Sequence, residues 1–174
     1  ARALETLRAA TMRVMTTIPP GKARLTIIDP VGLGQSFAGL MHLADYDDKL
    51  VNGRIWTDER HIEQRLSDLT EHMEKVIQKY LRNEYSTIDE YNARAGEIAE
   101  PYRFIVIADL PVGFNESAAR RLASIISSGQ RCAVYTLIAT DVRESLPKGL
   151  APSDLRGSGV TIYWQAHTCW TADQ

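Results

Sequence analysis

The sequence has few of the residues and patterns that mark several classes of protein. Its 174 residues include two cysteines, too few for a disulfide framework or a cysteine-based zinc site. Basic and acidic residues nearly cancel, and the formal net charge of −2 gives no overall basic field for nucleic acid. No window is apolar enough to span a membrane, and no signal peptide is present. We therefore expect a cytoplasmic protein that makes no membrane contact through this domain.

The residues that are present give a composition ordinary for one soluble domain, with 44% apolar and 24% charged residues. A chain of this length can bury a real hydrophobic core. It begins without a methionine and already inside an amphipathic pattern. We therefore expect residues 1–174 to form a single domain that is a fragment of a larger multidomain protein.

Two kinds of apolar pattern alternate along the chain. Apolar positions at helical spacing predict three helices, and apolar runs predict five strands. The helices span residues 4–18, 62–81 and 116–128. The strands span residues 23–29, 53–56, 102–109, 133–139 and 160–164, and a surface loop spans 147–159. Because buried strands alternate with amphipathic helices, we expect a three-layer α/β domain with a mostly parallel central sheet.

Capping residues mark the ends of two of these helices. Asp58 stands where the longest helix begins, and Asn115 stands directly before the next one. Both residue types accept hydrogen bonds from the free N–H groups of a first helical turn. Gly129 follows the second of these helices and is a typical helix stop.

Polar residues end three of the predicted strands. Asp29 and Asp109 close two apolar runs, and Thr140 follows a third. Because ligands of parallel sheets bind at the carboxyl ends of strands, these residues are candidates for a site. An aspartate there can hold Mg²⁺ through water, and a hydroxyl can sense a terminal phosphate. The local patterns equally allow Asp109 to cap the turn before Pro111 and Thr140 to bond to its own turn.

The sequence contains no recognisable phosphate-binding loop. Gly21-Lys22 closes a helix and opens a strand, whereas a phosphate cradle needs a glycine-rich turn after a strand that opens a helix. Gly32-Leu33-Gly34 follows a strand but lacks the third glycine of a dinucleotide fingerprint. We interpret it as a turn, which also leaves a flavodoxin-like or Rossmann-like domain without its phosphate loop.

An ordered series of short motifs runs from the first predicted strand to the end of the fourth. It consists of Ile28-Asp29-Pro30, Met41-His42-Leu43, Thr57-Asp58, Met73-Glu74-Lys75, Ile88-Asp89-Glu90-Tyr91-Asn92, Ile105-Val106-Ile107-Ala108-Asp109 and Leu137-Ile138-Ala139-Thr140. In order and spacing the series resembles the motor domain of the FtsK/SpoIIIE family, ring-forming DNA pumps of the RecA-like P-loop class, over residues 1–141. The resemblance implies a three-layer RecA-like P-loop NTPase fold and ATP and Mg²⁺ as cofactors. It also implies DNA as a partner and a homo-oligomeric ring.

The resemblance implies roles for three of the strand-end residues. Asp109 occupies the place of the Walker B aspartate, which holds Mg²⁺ through water and is counted with the catalytic residues. Thr140 occupies the sensor position, a second catalytic candidate, and Asp29 falls in a nucleotide-binding motif. These three residues are the candidate site.

Departures from the family pattern fall on the residues that carry the chemistry. Leu110 stands in place of the catalytic glutamate, Val31 in place of a lysine and Asp141 in place of the sensor glutamine. The lysine and serine of the phosphate loop would fall near Ala3 and Leu4. Nucleotide affinity is therefore expected to be weak, because an amide cradle without its lysine loses a main partner of the phosphates.

Two functional hypotheses follow, and they differ in whether the chain is an enzyme. The first is an ATP-binding motor module that moves DNA or another polymer through a ring. The second is a degenerate, non-catalytic ATPase-like domain with a scaffolding or regulatory role beside active modules.

Overall fold

The structure of the chain is a computed structural model. It describes residues 2–47, 50–51, 53–82, 84–96, 99–157, 159–165 and 168–171. The helices are α1 (Arg2–Thr17), α2 (Glu59–Val76), α3 (Ile88–Ala95), α4 (Glu116–Ser128) and α5 (Pro152–Arg156). The strands are β1 (Ala23–Ile28), β2 (Tyr102–Leu110), β3 (Val134–Thr140), β4 (Ile162–Gln165) and β5 (Thr168–Thr171). Two 3₁₀ helices span Gln35–Asp45 and Gly129–Cys132, and a π-helical turn spans Ile77–Leu81.

A parallel sheet with the order β1-β2-β3 forms the centre of the fold. On one face, Leu25 and Ile27 of β1 pack with Leu7 of α1 and with Phe37 of the first 3₁₀ helix. These side chains are buried because α1 and the 3₁₀ helix cover this face of the sheet.

Helices α2 and α4 cover the opposite face of the sheet. There Ile105 and Ile107 of β2 pack in one cluster with Ile62 and Leu66 of α2 and Leu122 of α4. Helices therefore lie on both sides of a parallel sheet, which confirms the predicted three-layer α/β architecture.

The predicted caps are present. The Asp58 carboxylate accepts hydrogen bonds from the backbone N–H groups of Arg60 and His61, at 3.0 and 3.3 Å. The side chain of Asn115 accepts one from Ala118 at 2.8 Å. Helix α4 ends at Ser128, as expected before a glycine, but the chain then continues as a 3₁₀ helix to Cys132.

Two predicted strands differ from the structure. Residues 53–56 form no strand, and instead Val51 and Trp56 make isolated parallel bridges to Leu25 and Ile28 of β1. Gly53 lies between them with φ +70°, a left-handed conformation that interrupts an extended run. The strand predicted at 160–164 lies at Ile162–Gln165 and pairs antiparallel with β5, in a hairpin outside the parallel sheet.

Smaller differences concern helix lengths. The helix predicted as continuous over 62–81 is α-helical to Val76 and then becomes a π-helical turn. The predicted surface loop at 147–159 contains the short helix α5, which begins with Pro152 at its first turn. Strand β2 continues one residue beyond Asp109. Among the described residues, no helix is long and apolar enough to cross a membrane.

Candidate functional site at the carboxyl edge of the sheet

The three predicted site residues lie at the same edge of the parallel sheet. Asp29 directly follows β1, Asp109 is the penultimate residue of β2, and Thr140 ends β3. The loops that follow β1 and β2 also adjoin, since a Cβ added to Gly113 would lie 3.1 Å from the Cβ of Pro30. The structure therefore brings together the strand ends that the sequence singled out.

The carboxylate of Asp29 holds the loop that follows β1. Asp29 is fully buried, and its two oxygens accept hydrogen bonds from the backbone N–H groups of Gly32 and Ser36, at 3.0 and 3.1 Å. Its backbone carbonyl accepts a further bond from Gly34 at 3.3 Å. Both carboxylate oxygens are thus engaged with the protein's own backbone, which is a structural role.

Gly32 is required by this arrangement. A Cβ at this position would lie 2.5 and 2.6 Å from the two Asp29 carboxylate oxygens. Leu33 and Gly34 follow with φ of 48° and 85°, so the chain turns sharply through left-handed conformations. The amide of Gly32 faces the aspartate of its own loop, and the segment is a turn, as the sequence predicts.

Asp109 differs from Asp29 in its surroundings. It has φ 54°, a left-handed conformation that aspartate tolerates better than most residues, and it lies where the β2–β3 register shifts. Its backbone carbonyl, not its side chain, closes the following turn by accepting from Val112 at 3.0 Å. Among the described residues its half-buried carboxylate has no hydrogen-bond or ion-pair partner. Asp109 is therefore an available acid at this edge.

Leu110 and Thr140 are tied to each other. Leu110 is 1% exposed and belongs to the core that α2 and α4 cover. The hydroxyl of Thr140 donates to the Leu110 carbonyl at 2.8 Å, across the two strands and not within its own turn. Leu110, which stands where the family pattern has a catalytic glutamate, therefore faces the core, and the Thr140 hydroxyl has its proton engaged.

Asp141 is paired with Arg143 at the start of the next loop. The guanidinium contacts both carboxylate oxygens, and Nε lies 2.9 Å from Oδ1. These hydrogen bonds hold the pKa of Asp141 well below its ordinary value. The pair is exposed, so we assign it no contribution to stability.

Exposed apolar side chains surround these groups. They follow each of the three strands and are 47–76% exposed: Val31, Leu33, Val112 and Val142. The tripeptide Pro-Val-Gly occurs twice here, at 30–32 and 111–113. Apolar surface at the end of a strand binds protein or other apolar partners better than it binds phosphates.

The donor set at this edge supports only a limited metal site. Among the described residues, no three histidine, cysteine, aspartate or glutamate side chains could hold a metal ion together. Mg²⁺ nevertheless needs few protein ligands, because it retains waters and binds substrate phosphates. Asp109 alone could therefore hold Mg²⁺ through water, whereas Asp29 and Thr140 have their polar atoms engaged elsewhere.

A group of cationic side chains that the sequence did not predict lies near the opposite edge of the sheet. Arg24 and Arg103 are register neighbours on β1 and β2, and Arg65 and His72 of α2 line the same cavity. The available signal was an arginine near the start of each of two otherwise apolar strands. Charged side chains there lie on the face of the sheet that α2 covers, and burying such a charge without a partner costs free energy.

Comparison with solved structures relates this fold to ATPase domains. The chain is similar to EssC (ATPases 2 and 3) from Geobacillus thermodenitrificans, with a TM-score of 0.63 and 19% sequence identity. The match covers 92% of this chain and 29% of that one, so the chain spans less than a third of its structural neighbour. No protein-family model and no curated protein sequence matches the chain. The protein therefore has an α/β fold related to that of ATPase domains.

Proposed function

We propose that this chain is an ATPase-like module of a translocation machine and that it does not itself hydrolyse ATP. Its role is then scaffolding or regulatory, beside active modules. The fold supports the ATPase-like character, because EssC (ATPases 2 and 3) has a similar fold. The motif series that resembles the FtsK/SpoIIIE family supports the translocation machine. The chemistry at the carboxyl edge supports the second part.

The observation that carries the proposal is the engagement of Asp29 by its own loop. A nucleotide-binding edge needs free amides and free polar side chains directed at phosphates. Here the amides of Gly32 and Ser36 already bond a buried carboxylate, whose charge has the same sign as that of a phosphate. Any phosphate at this loop would have to displace Asp29 or lie against it.

Leu110 supports the absence of hydrolysis. Phosphoryl transfer to water needs a group that orients or activates the water. Leu110 has no such group and is packed in the core. A glutamate placed there would be buried among apolar side chains, so one substitution is not expected to restore catalysis.

A second function, an ATP-binding motor module, is favoured by Asp109. Its carboxylate has no partner among the described residues and lies at the end of the middle strand. In this alternative Asp109 holds the water shell of Mg²⁺ on ATP, and Thr140 lies beside the terminal phosphate. The module then acts in a homo-oligomeric ring that moves DNA or another polymer.

Phosphate release from ATP tests the proposal. We expect the chain to release phosphate from ATP and Mg²⁺ no faster than buffer, with or without double-stranded DNA. The Asp109→Asn variant is the control for contaminating ATPases, and we expect it to keep the fold because asparagine tolerates the left-handed conformation of this position. Turnover that DNA stimulates and that Asp109→Asn abolishes would establish the motor and overturn the proposal.

A further inference from the structure

A cationic cavity lies between helix α2 and the start of strands β1 and β2. Its volume is about 100 Å³, and its walls include Arg24, Arg65, His72 and Arg103. A wider cavity of about 420 Å³ lies beyond His72, which lines both. The wider cavity adds three cations, one aromatic ring and one acid: Lys75, Lys79, Arg82, Tyr80 and Glu100.

This region is distinct from the carboxyl edge of the sheet. Arg24 precedes Asp29 by five residues on β1, and Arg103 precedes Asp109 by six on β2. At the rise of an extended strand, these separations correspond to about 16–20 Å. A ligand held here would therefore not touch the candidate nucleotide site.

The charges in the inner cavity do not cancel. Arg65 pairs with Asp68 at 2.8 Å, and Arg24 pairs with Asp47 at 3.6 Å. Arg103 has no ion pair or hydrogen bond among the described residues. Among the described residues, no acid therefore contacts the guanidinium of Arg103, although the charge of Glu100 acts on it.

Burial makes that guanidinium a strong candidate for binding an anion. The Nε atoms of Arg65 and Arg103 are both buried without a hydrogen-bond partner. Burial lowers the pKa of Arg103; the charge of Glu100 acts to raise it, and that of Arg24 to lower it further. A partly buried charge with buried N–H groups that lack acceptors is costly, and an oxyanion that meets both Nε–H groups would remove that cost.

The size of the cavity limits the anion. A volume of about 100 Å³ equals that of about three water molecules, since each has a share of about 30 Å³ in the liquid. A phosphate group fits this space, whereas a nucleoside or a peptide does not. The wider cavity beside Tyr80 and the two lysines would hold whatever the phosphate is attached to.

We propose that this cavity binds the terminal phosphate of a small phosphorylated molecule, with Arg103 as the principal contact. The phosphate accepts hydrogen bonds from Arg65 and Arg103 in the inner cavity. A terminal phosphate enters such a cavity end-on, whereas the diester of a nucleic acid has chain on both sides and stays at the surface. The ligand class is therefore a phosphomonoester or diphosphate and not a nucleic acid.

Thermal unfolding in inorganic phosphate and in pyrophosphate tests the proposal on the whole chain. We expect millimolar phosphate to raise the Tm of the wild-type chain above its value in chloride at equal ionic strength, because a ligand of the folded state stabilises it. Arg103→Met should weaken phosphate binding by about tenfold or more, the worth of one charge-assisted hydrogen bond. In chloride this variant should unfold at the same or a higher temperature, since it removes a partly buried charge that no acid contacts among the described residues.

The matched control is Arg60→Met, the same substitution at an exposed position on α2 outside the cavity. It should keep the full phosphate response. Arg24→Met is the second cavity variant, should Arg103→Met fail to fold, and it should also weaken the response. No rise of the wild-type Tm, or equal rises for all variants, would overturn the proposal. An oligonucleotide that binds through Arg103 while phosphate and pyrophosphate do not would also contradict it.

Discussion

Two aspartates at the same edge of the sheet have different roles because their surroundings differ. Asp29 is fully buried and accepts two backbone hydrogen bonds. Asp109 is half-buried, and its carboxylate has no partner among the described residues. A carboxylate that bonds backbone amides contributes to stability, whereas an unpartnered one is available to a ligand.

The paired substitutions Asp29→Asn and Asp109→Asn measure this difference. In Asp29→Asn an amide NH₂ replaces one oxygen, so a buried backbone N–H of the loop faces another donor. We expect a loss of about 1–3 kcal/mol in the free energy of unfolding, measured by urea denaturation. Asp109→Asn should change the free energy of unfolding by less than about 0.5 kcal/mol. Equal losses in the two variants would show that Asp29 has no special structural role.

His72 makes stability depend on pH. Burial, followed by the charge of Arg103, lowers its pKa from 6.5 to about 4. Between these values the unfolded chain binds a proton that the folded chain does not, so stability falls as pH falls from 6.5 to about 4. We expect His72→Gln to lose less stability than wild type over this range in urea denaturation. A profile in His72→Gln as steep as that of the wild type would contradict this assignment.

At the scale of elements, one residue joins two helices on the same face of the sheet. Asn115 caps α4 through Ala118 and donates a hydrogen bond to Glu63 of α2 at 2.9 Å. The bond from Asn115, and a second from Ser117, lower the pKa of Glu63. The start of α4 is therefore fixed both by its own first turn and by its neighbour.

Substitutions of Asn115 separate the two contributions. Asn115→Ser keeps a side-chain acceptor for the cap but loses the reach to Glu63, whereas Asn115→Ala loses both. We expect Asn115→Ala to be about 1 kcal/mol less stable than Asn115→Ser in urea denaturation, the usual value of a cap. Identical stabilities of the two variants would contradict a contribution of the cap to this end of α4.

The elements that the sequence predicted well are those that local chemistry determines. Asp58 and Asn115 cap helices through amides two or three residues away, and the apolar runs of β1 and β2 allow only buried strands. The 3₁₀ helix after β1 has no period that separates it from a loop, so it was missed. The partner of the last predicted strand was missed because strand pairing is not a local property.

The candidate site could be located from the sequence, but its chemistry could not be derived. Parallel strands must place Asp29, Asp109 and Thr140 at one edge, and they do. That the Thr140 hydroxyl bonds the Leu110 carbonyl depends on a register shift between β2 and β3. That Asp29 is engaged depends on how its loop closes. Such contacts depend on tertiary packing, which a sequence motif does not determine.

At the scale of the whole molecule, the two ends of the sheet have opposite characters. The carboxyl edge shows exposed valines and a leucine, and the opposite end has a cluster of cations around Arg103. The formal net charge of −2 does not reveal that the cations are concentrated at one end of the sheet, because it sums over the whole chain. The fold is related to that of ATPase domains, yet the polar groups that a nucleotide would need are mostly engaged. The proposed function, an ATPase-like module without hydrolysis, fits both observations.

Calorimetric titration of the chain with ATP and Mg²⁺, beside its Asp109→Asn variant, measures directly whether the carboxyl edge is a working nucleotide site. We expect no heat of binding at the carboxyl edge. If ATP phosphates bind in the cationic cavity, that heat should be lost in Arg103→Met but kept in Asp109→Asn. Binding that requires Mg²⁺ and disappears in Asp109→Asn would instead establish a working nucleotide site, and would contradict the account.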